Sequence, residues 1–327
     1  MVWNARPSIE RHHVKKTASL AVAAVAILVM ALAGAAQTAF DSTRAYEHLR
    51  QIVQFGPRPA GSAALESTRK YFRQQLGAIG VQTSDQTFNA STPIGPVKMT
   101  NVVATIPGAR PERIVFTGHY DTKLFRDFTF VGANDGGSSA AFLLELARVL
   151  KARKNPLTME ILFLDGEEAF HPTEWRGTDH TYGSRYYVEA AKRDGTLKSI
   201  RALVLVDMIG GRDLTLDRET NSTPWLTETL WQTARKLGVQ DNFPDRPEPI
   251  EDDHLPFLEA GVQAVDIIDL NHYAAAGWWH TREDTLDKTS ARSLQVVGDV
   301  LLAALPTIEA RLVKGAATAP KPKTGRH

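Results

Sequence analysis

The residues of this sequence that could do chemistry are carboxylates and histidines, most of which stand at the ends of short apolar runs. In chain order they are His119 with Asp121, Asp135, Asp165 with Glu167 and Glu168, Asp207, Asp266 with Asp269, and His280. The 327 residues include no cysteine, so a metal site must use imidazole and carboxylate ligands. Zinc accepts both kinds of ligand, and a catalytic zinc site uses about three of them and leaves one position open. Taken together, the residues predict a zinc site.

Taken singly, each of these residues has a simpler interpretation. A histidine after a strand is often structural, Asp135 is typical of a helix cap, and Asp207 is able to orient a loop backbone. The pair Glu167 and Glu168 is harder to explain in this way, because it follows a buried run and a glycine and precedes an apolar Ala–Phe pair. Two carboxylates in such a place are costly unless they share a cation or a proton.

The spacing of two residue pairs suggests different tasks within one site. Adjacent glutamates in a turn commonly point in different directions, so one of Glu167 and Glu168 is able to bind the metal while the other carries a proton for the substrate. Asp121, two residues after His119, is placed to orient that imidazole. We therefore expect metal ligands, a proton carrier and an orienting carboxylate in one cluster.

The segments between these residues predict alternating strands and helices. Strand-like runs occupy residues 81–88, 101–106, 113–117, 159–164, 202–206 and 264–268, and helices are expected after an N-cap at Asp41 and at residues 63–76, 138–152, 184–193, 224–237 and 290–308. The runs at 114–117 and 202–206 are continuously apolar, so both of their faces must be covered. The order predicts a three-layer α/β/α domain around a mostly parallel mixed sheet, in which ligands bind beyond the carboxyl ends of the strands.

The two ends of the chain differ in composition from the rest. Residues 17–40 carry no charge, follow a basic segment and contain small residues suited to signal-peptidase cleavage. We interpret residues 1–40 as an export signal, with an uncleaved membrane anchor as the alternative. Residues 41–313 then form a single catalytic domain outside the cytoplasm, and residues 314–327 are expected to be a disordered tail. Acidic residues outnumber basic ones between these ends, which argues against a nucleic-acid partner.

The ordered set of motifs resembles the zinc aminopeptidase and glutaminyl cyclase family over about residues 41–310. The resemblance implies a zinc-exopeptidase-like fold, Glu167 as general acid/base, and peptide or protein N-termini as substrates. It also implies two metal positions that share one carboxylate. Their implied ligands are His119, Asp135 and Asp207 at one position, and Asp135, Glu168 and His280 at the other.

Two branches of the family differ in the nucleophile. Di-zinc aminopeptidases hydrolyse the first peptide bond with water, whereas glutaminyl cyclases use one zinc and the substrate's own amine, and release ammonia and pyroglutamate. Segments 119–125, 165–170, 182–185 and 252–257 resemble the cyclase forms. By that resemblance Asp252 joins Asp207 behind Glu167, while Trp175 and Trp279 line the substrate pocket.

Our first hypothesis is an exported, zinc-dependent glutaminyl-peptide cyclotransferase, and the alternative is an exported di-zinc aminopeptidase. A third reading, a non-catalytic ectodomain, is disfavoured because Glu167 and all five implied ligand positions are retained. Glu251, Asp266 and a longer loop at 269–278 depart from the animal cyclases near the presumed pocket. No oligomeric state is predicted, and a membrane contact is expected only through an uncleaved anchor.

Overall fold

The computed structural model describes residues 1–2, 39–171, 175 and 177–317, and the residues from Phe40 onward group into one compact unit. Its α-helices are α1 (Ser42–Gln54), α2 (Ala63–Ala78), α3 (Gly137–Ala152), α4 (Tyr182–Arg193), α5 (Pro224–Leu237), α6 (Leu255–Glu259), α7 (Leu270–Ala275) and α8 (Ala291–Ala317). Its strands are β1 (Gln82–Thr92), β2 (Gly95–Ile106), β3 (Arg113–His119), β4 (Thr158–Leu164), β5 (Ile200–Asp207), β6 (Arg218–Glu219), β7 (Pro247–Glu248) and β8 (Ala264–Ile268).

A six-stranded sheet of order β1-β2-β4-β3-β5-β8 forms the centre of the unit. β1 pairs with β2 and β2 with β4 in antiparallel fashion, whereas the pairs β3–β4, β3–β5 and β5–β8 are parallel. Helices cover the two faces of this mixed sheet. The predicted three-layer α/β/α architecture is therefore confirmed.

The central strands are apolar on both faces because each face packs against its own helix layer. Along β3, Phe116 belongs to a large core with α1, α3 and α8, and Val115 belongs to a second core with Tyr187 of α4 and Phe257 of α6. All seven residues of β4 are buried. The alternation of side chains along a strand thus divides one continuous apolar run between two cores.

The helix starts follow the local capping chemistry. The Asp41 carboxylate accepts hydrogen bonds from the backbone N–H groups of Thr43 and Arg44 at the start of α1. The Ser62 hydroxyl accepts one from the N–H of Leu65 at the start of α2. Each side chain satisfies backbone donors that a first helical turn leaves without a partner.

The ends of the chain give two findings. α8 extends through Ala317, so the boundary expected at residue 313 falls inside a helix. The expected export segment and residues 318–327 of the expected tail lie outside the described residues. No helix within the described ranges is long and apolar enough to cross a membrane.

The carboxyl ends of the parallel strands meet at one edge of the sheet. His119 is the last residue of β3, Asp207 is the last residue of β5, and Asp165 follows β4 directly. This edge carries the chemistry-bearing side chains, as expected for an open α/β sheet.

Candidate metal centre

Asp135, Glu168 and His280 form one cluster of candidate metal ligands. Their donor atoms all lie within 4.8 Å of one another. The Nε2 atom of His280 is 3.3 Å from Oδ2 of Asp135 and 3.2 Å from Oε1 of Glu168. Three distant segments therefore converge: the loop before α3, the turn after β4, and the loop after α7.

His119, Asp135 and Asp207 form a second cluster beside the first. The Nε2 atom of His119 is 3.1 Å from Oδ1 of Asp135 and 3.2 Å from Oδ1 of Asp207. The two oxygens of Asp135 thus face different clusters, which is the arrangement of a carboxylate that bridges two cation positions.

The donor set fits a zinc ion on two grounds. His119 is only 1% exposed, yet neither of its ring nitrogens has a hydrogen-bond partner among the described residues, and neither does Oδ2 of Asp135. Buried polar atoms without partners are costly, and a cation would satisfy them. In addition, zinc bonds of about 2.0–2.2 Å in tetrahedral geometry place ligand atoms roughly 3.3–3.5 Å apart. The distances of 3.1–3.3 Å in both clusters are close to this spacing.

The electrostatics of the site show a competition between protons and a metal. Burial lowers the pKa of His119, but the Asp207 and Glu167 carboxylates outweigh it and hold that pKa well above the usual value. For His280, burial is likewise outweighed, chiefly by the Glu168 carboxylate, and the pKa rises to about 9. An imidazole must lose its proton to bind a metal, so metal binding here releases protons.

Asp121 lies beneath the turn that carries the two glutamates. Its carboxylate accepts hydrogen bonds from the backbone N–H groups of Glu167 at 3.2 Å and Glu168 at 3.4 Å. Its Oδ1 atom is 3.6 Å from Nδ1 of His119, which is longer than a hydrogen bond. Asp121 therefore fixes the glutamate turn, and its expected role in orienting His119 stays a prediction.

Glu167 and Asp252 are buried carboxyls at the floor of the site. Burial raises the pKa of Glu167 well above its usual value, with Glu168 and Asp252 adding to the effect and His119 opposing it. Burial also raises the pKa of Asp252, helped by the neighbouring charges of Asp207 and Asp253. A raised pKa brings a carboxyl closer to the range in which it can both accept and donate a proton.

A pocket of about 270 Å³ opens onto the two clusters. Trp175 and Trp279 both line it, as do Glu167, Asp252 and the apolar side chains of Met208, Ile250, Ile268 and Leu270. Trp279 is 38% exposed and stacks on the His280 ring at 4.1 Å, and Trp175 stacks on His180 at 4.1 Å. The pocket therefore has aromatic and apolar walls over a charged floor, which is typical of small-ligand sites.

The comparisons with known proteins identify the family. The model of peptidase family M28 matches residues 101–305. The chain belongs to peptidase family M28. It is 31% identical over 257 residues to a glutaminyl-peptide cyclotransferase-like protein of Mus musculus, with 70% of this chain and 66% of that protein covered. The chain thus spans just under two thirds of the length of that relative.

Solved structures of bacterial proteins are similar over most of this M28 chain. A glutaminyl cyclase from an Acidobacteriales bacterium has 39% sequence identity and a TM-score of 0.78, covering 84% of this chain and 96% of that one. A leucine aminopeptidase precursor from Bacteroides thetaiotaomicron has 27% identity and a TM-score of 0.73, covering 81% and 97%. The expectation of an enzyme with the zinc-exopeptidase fold is confirmed.

The structure adds residues to this M28 site that the sequence did not single out. Lys123 is buried in the pocket wall, where its Nζ donates to the Ala169 carbonyl at 3.0 Å and lies 3.8 Å from Oε2 of Glu168. The sequence offered one signal for Lys123, which is its position four residues after His119 and just beyond the end of β3. The four apolar wall residues carried no chemical signal, because aliphatic side chains are common after strands.

Two residues noted as departures from the animal cyclases lie in different surroundings. Glu251 is exposed and lines the pocket. Asp266 is buried in β8 behind it, and neither of its carboxylate oxygens has a hydrogen-bond partner among the described residues. His254 is buried, with its Nε2 atom 3.1 Å from Oε2 of Glu219.

Proposed function

We propose that this protein is a zinc-dependent glutaminyl-peptide cyclotransferase, which converts the N-terminal glutamine of peptides or proteins to pyroglutamate and releases ammonia. The observation that carries the proposal is the cluster of Asp135, Glu168 and His280 at the floor of a pocket that also contains Glu167. The relatives and solved structures named as glutaminyl cyclases support the same reaction.

The metal would be held by Asp135, Glu168 and His280, which all line the pocket. Bound there, zinc supplies a Lewis acid that polarises the carbonyl of the substrate's γ-carboxamide. His119 and Asp207 then lie behind this position as a second imidazole–carboxylate pair. Three protein ligands with one open position match the usual catalytic zinc site.

Glu167 would carry the proton that the reaction must move. The α-amine nitrogen of glutamine forms a bond to the side-chain carbonyl carbon, and the bond from that carbon to the amide nitrogen breaks. Glu167 takes a proton from the attacking amine and delivers it to the departing nitrogen, which leaves as ammonia. The environment that raises the pKa of Glu167 suits this exchange, because proton transfer is most efficient when donor and acceptor are nearly matched.

Asp207 and Asp252 would hold Glu167 in this working state. Their carboxyls lie at the same pocket, and the charge of Asp207 raises the pKa of Asp252. Trp175 and Trp279 would contact the aliphatic part of the glutamine side chain and exclude water from the pocket. The substrate amine, rather than water, would then be the nucleophile.

A direct test supplies zinc-loaded protein with two peptides that differ only in their first residue, glutamine or leucine. We expect ammonia and a pyroglutamyl peptide, in equal amounts, from the first peptide and no change in the second. Liberation of free leucine instead would replace this proposal with the aminopeptidase.

The second candidate function is a di-zinc aminopeptidase. The cluster of His119, Asp135 and Asp207 favours it, because this cluster offers a complete second set of ligands that shares Asp135. The structural similarity to a protein named as a leucine aminopeptidase precursor favours it as well. In that reaction water attacks the first peptide bond and Glu167 takes the proton of that water.

We also propose export of the protein through its apolar N-terminal segment. The uncharged residues 17–40 after a basic start support this interpretation. N-terminal sequencing of protein recovered outside the cytoplasm should find a chain that begins after the small residues near 33–35, whereas an intact Met1 in a membrane fraction would indicate the anchor.

A further inference from the structure

We propose that Arg58 and Asp284 are positioning residues that hold three ligand-bearing segments of the metal centre in register. Neither side chain belongs to a candidate metal cluster or lines the pocket. The inference rests on the metal site proposed above, but not on which reaction that site performs.

Arg58 joins the segment after β3 to the loop that carries Asp135. Its side chain is fully buried, and its guanidinium is bonded to main-chain carbonyls rather than to any carboxylate within the described ranges. It donates from Nε to the carbonyl of Tyr120 at 2.9 Å, from Nη1 to that of Val131 at 2.5 Å, and from Nη2 to that of Gly132 at 2.7 Å. Tyr120 directly follows His119, so the rigid fork of the guanidinium ties a ligand of one cluster to the loop of the bridging ligand.

Asp284 joins the same loop to the segment that carries His280. Its Oδ1 atom accepts from the N–H of Asn134 at 2.7 Å and from the hydroxyl of Tyr273 at 2.9 Å. Its Oδ2 atom accepts from the N–H of Asp135 at 3.1 Å. Because Asp284 lies four residues after His280, a shift of its carboxylate changes the distance between two ligands of the first cluster.

Arg58 and Asp284 bind the backbone of the same loop. Arg58 binds its carbonyl groups and Asp284 binds its N–H groups, so the loop is fixed in both position and orientation. Asp135 at the end of this loop supplies a donor to both clusters. A displacement there alters donor distances of 3.1–3.3 Å that suit a metal ion. Substitution of a residue that has only a structural role would lower the stability of the fold without this selective effect on metal binding.

The decisive variant is Asp284→Asn, which keeps the shape of the side chain and removes one acceptor and the charge. We expect zinc affinity, measured by competition with a chelator, to fall about 10- to 100-fold while the circular dichroism spectrum is unchanged. The absorption spectrum of bound cobalt should change as well, because it reports ligand geometry. Arg58→Lys keeps the charge but not the fork, and we expect it to weaken zinc binding in the same direction.

Glu160→Gln is the matched control. Glu160 is a buried carboxylate that pairs with Arg113 at 2.6 Å near the start of β4, at the end of the strand away from the metal centre. We expect this substitution to lower stability and to leave zinc affinity as in the wild type.

Two outcomes overturn the inference and leave the proposed function in place. The first is a folded Asp284→Asn protein with wild-type zinc affinity. If Asp284→Asn does not fold, Tyr273→Phe is the test, because it removes one donor to Asp284 and keeps the carboxylate. We expect this variant to bind zinc several-fold more weakly than the wild type. Unchanged zinc affinity in Tyr273→Phe is the second outcome that overturns the inference. A wild-type protein that binds no zinc would instead remove the proposed function together with this inference.

Discussion

At the scale of single residues, the site depends on carboxylates whose two oxygen atoms contact different partners. Asp135 turns Oδ1 towards His119 and Oδ2 towards His280, so one side chain serves two clusters. The sequence predicted all three as candidate ligands: His119 follows a buried run, Asp135 precedes a helix, and His280 lies in a late loop. It did not predict that Asp121 accepts from the backbone of Glu167 and Glu168, because that contact depends on the path of a turn that residue types do not specify.

The role of Glu167 can be separated from metal binding by Glu167→Gln. The amide keeps the shape of the side chain but cannot carry a proton. We expect kcat to fall about 10²- to 10⁴-fold, as for loss of a general acid/base, while zinc content stays at the wild-type level. Steady-state kinetics and metal analysis on the same sample check both parts.

Glu189→Gln is the control for this variant, since Glu189 is exposed on α4 and does not line the pocket. Its kcat should remain close to that of the wild type. Loss of zinc from Glu167→Gln would show that Glu167 is a ligand and that the assigned roles are wrong.

At the scale of elements, the apolar runs predicted the central strands closely, and the first half of β2 was missed. Residues 95–100, which include a proline, were not predicted as a strand, and in the structure they pair with β1 in the hairpin at the sheet margin. A strand in such a hairpin is stabilised by pairing with its partner strand more than by its own residue composition. The start of α3 was predicted one residue late, because glycine has a low helix propensity and Gly136 and Gly137 stand at this helix start.

Gly136, at the start of α3, lies directly against the residues of the metal centre. Its φ is +73°, and a Cβ atom would lie 2.5 Å from the Asp121 carbonyl oxygen and 3.0 Å from Cε1 of His119. We expect Gly136→Ala to destabilise the fold by more than the roughly 1–2 kcal/mol of a left-handed residue, and to lower zinc affinity. Chemical denaturation and chelator competition measure the two effects.

Gly195→Ala is the matched control, because Gly195 has φ +70° and nothing within 4 Å of the added carbon. It should show the conformational cost alone and bind zinc normally. Equal zinc affinity in the two alanine variants would mean that the close approach to His119 does not matter for the metal.

At the scale of the whole molecule, the fold buries several carboxyl groups behind one sheet edge. Burial and neighbouring carboxylates raise the pKa of Asp266 well above its usual value. The groups that face it are Asp252, Asp207, Glu219 and Asp253, together with His254, whose Nδ1 atom lies 3.8 Å from Oδ2 of Asp266. Composition predicted an acidic domain, but only the packing shows which acids have raised pKa values.

Asp266→Asn should therefore make the protein more stable at high pH. The folded wild type keeps a proton on Asp266 that the unfolded chain releases above about pH 4, so its free energy of unfolding falls as pH rises, by at most about 1.4 kcal/mol per unit. Asparagine has no proton to lose, so the gain over the wild type should be small at pH 5 and large at pH 8. Denaturation midpoints of both proteins in a chelator give this difference, and a gain that does not grow with pH would contradict it.

The zinc content of the purified chain tests the central claim most directly, because every proposed step needs the cluster of Asp135, Glu168 and His280 to hold a metal. Metal analysis after dialysis should find about one zinc per chain in the wild type and in His119→Ala, and almost none in His280→Ala. Full zinc in His280→Ala would contradict the assigned centre. Two tightly held ions in the wild type, one of which is lost in His119→Ala, would contradict the cyclase in favour of the aminopeptidase.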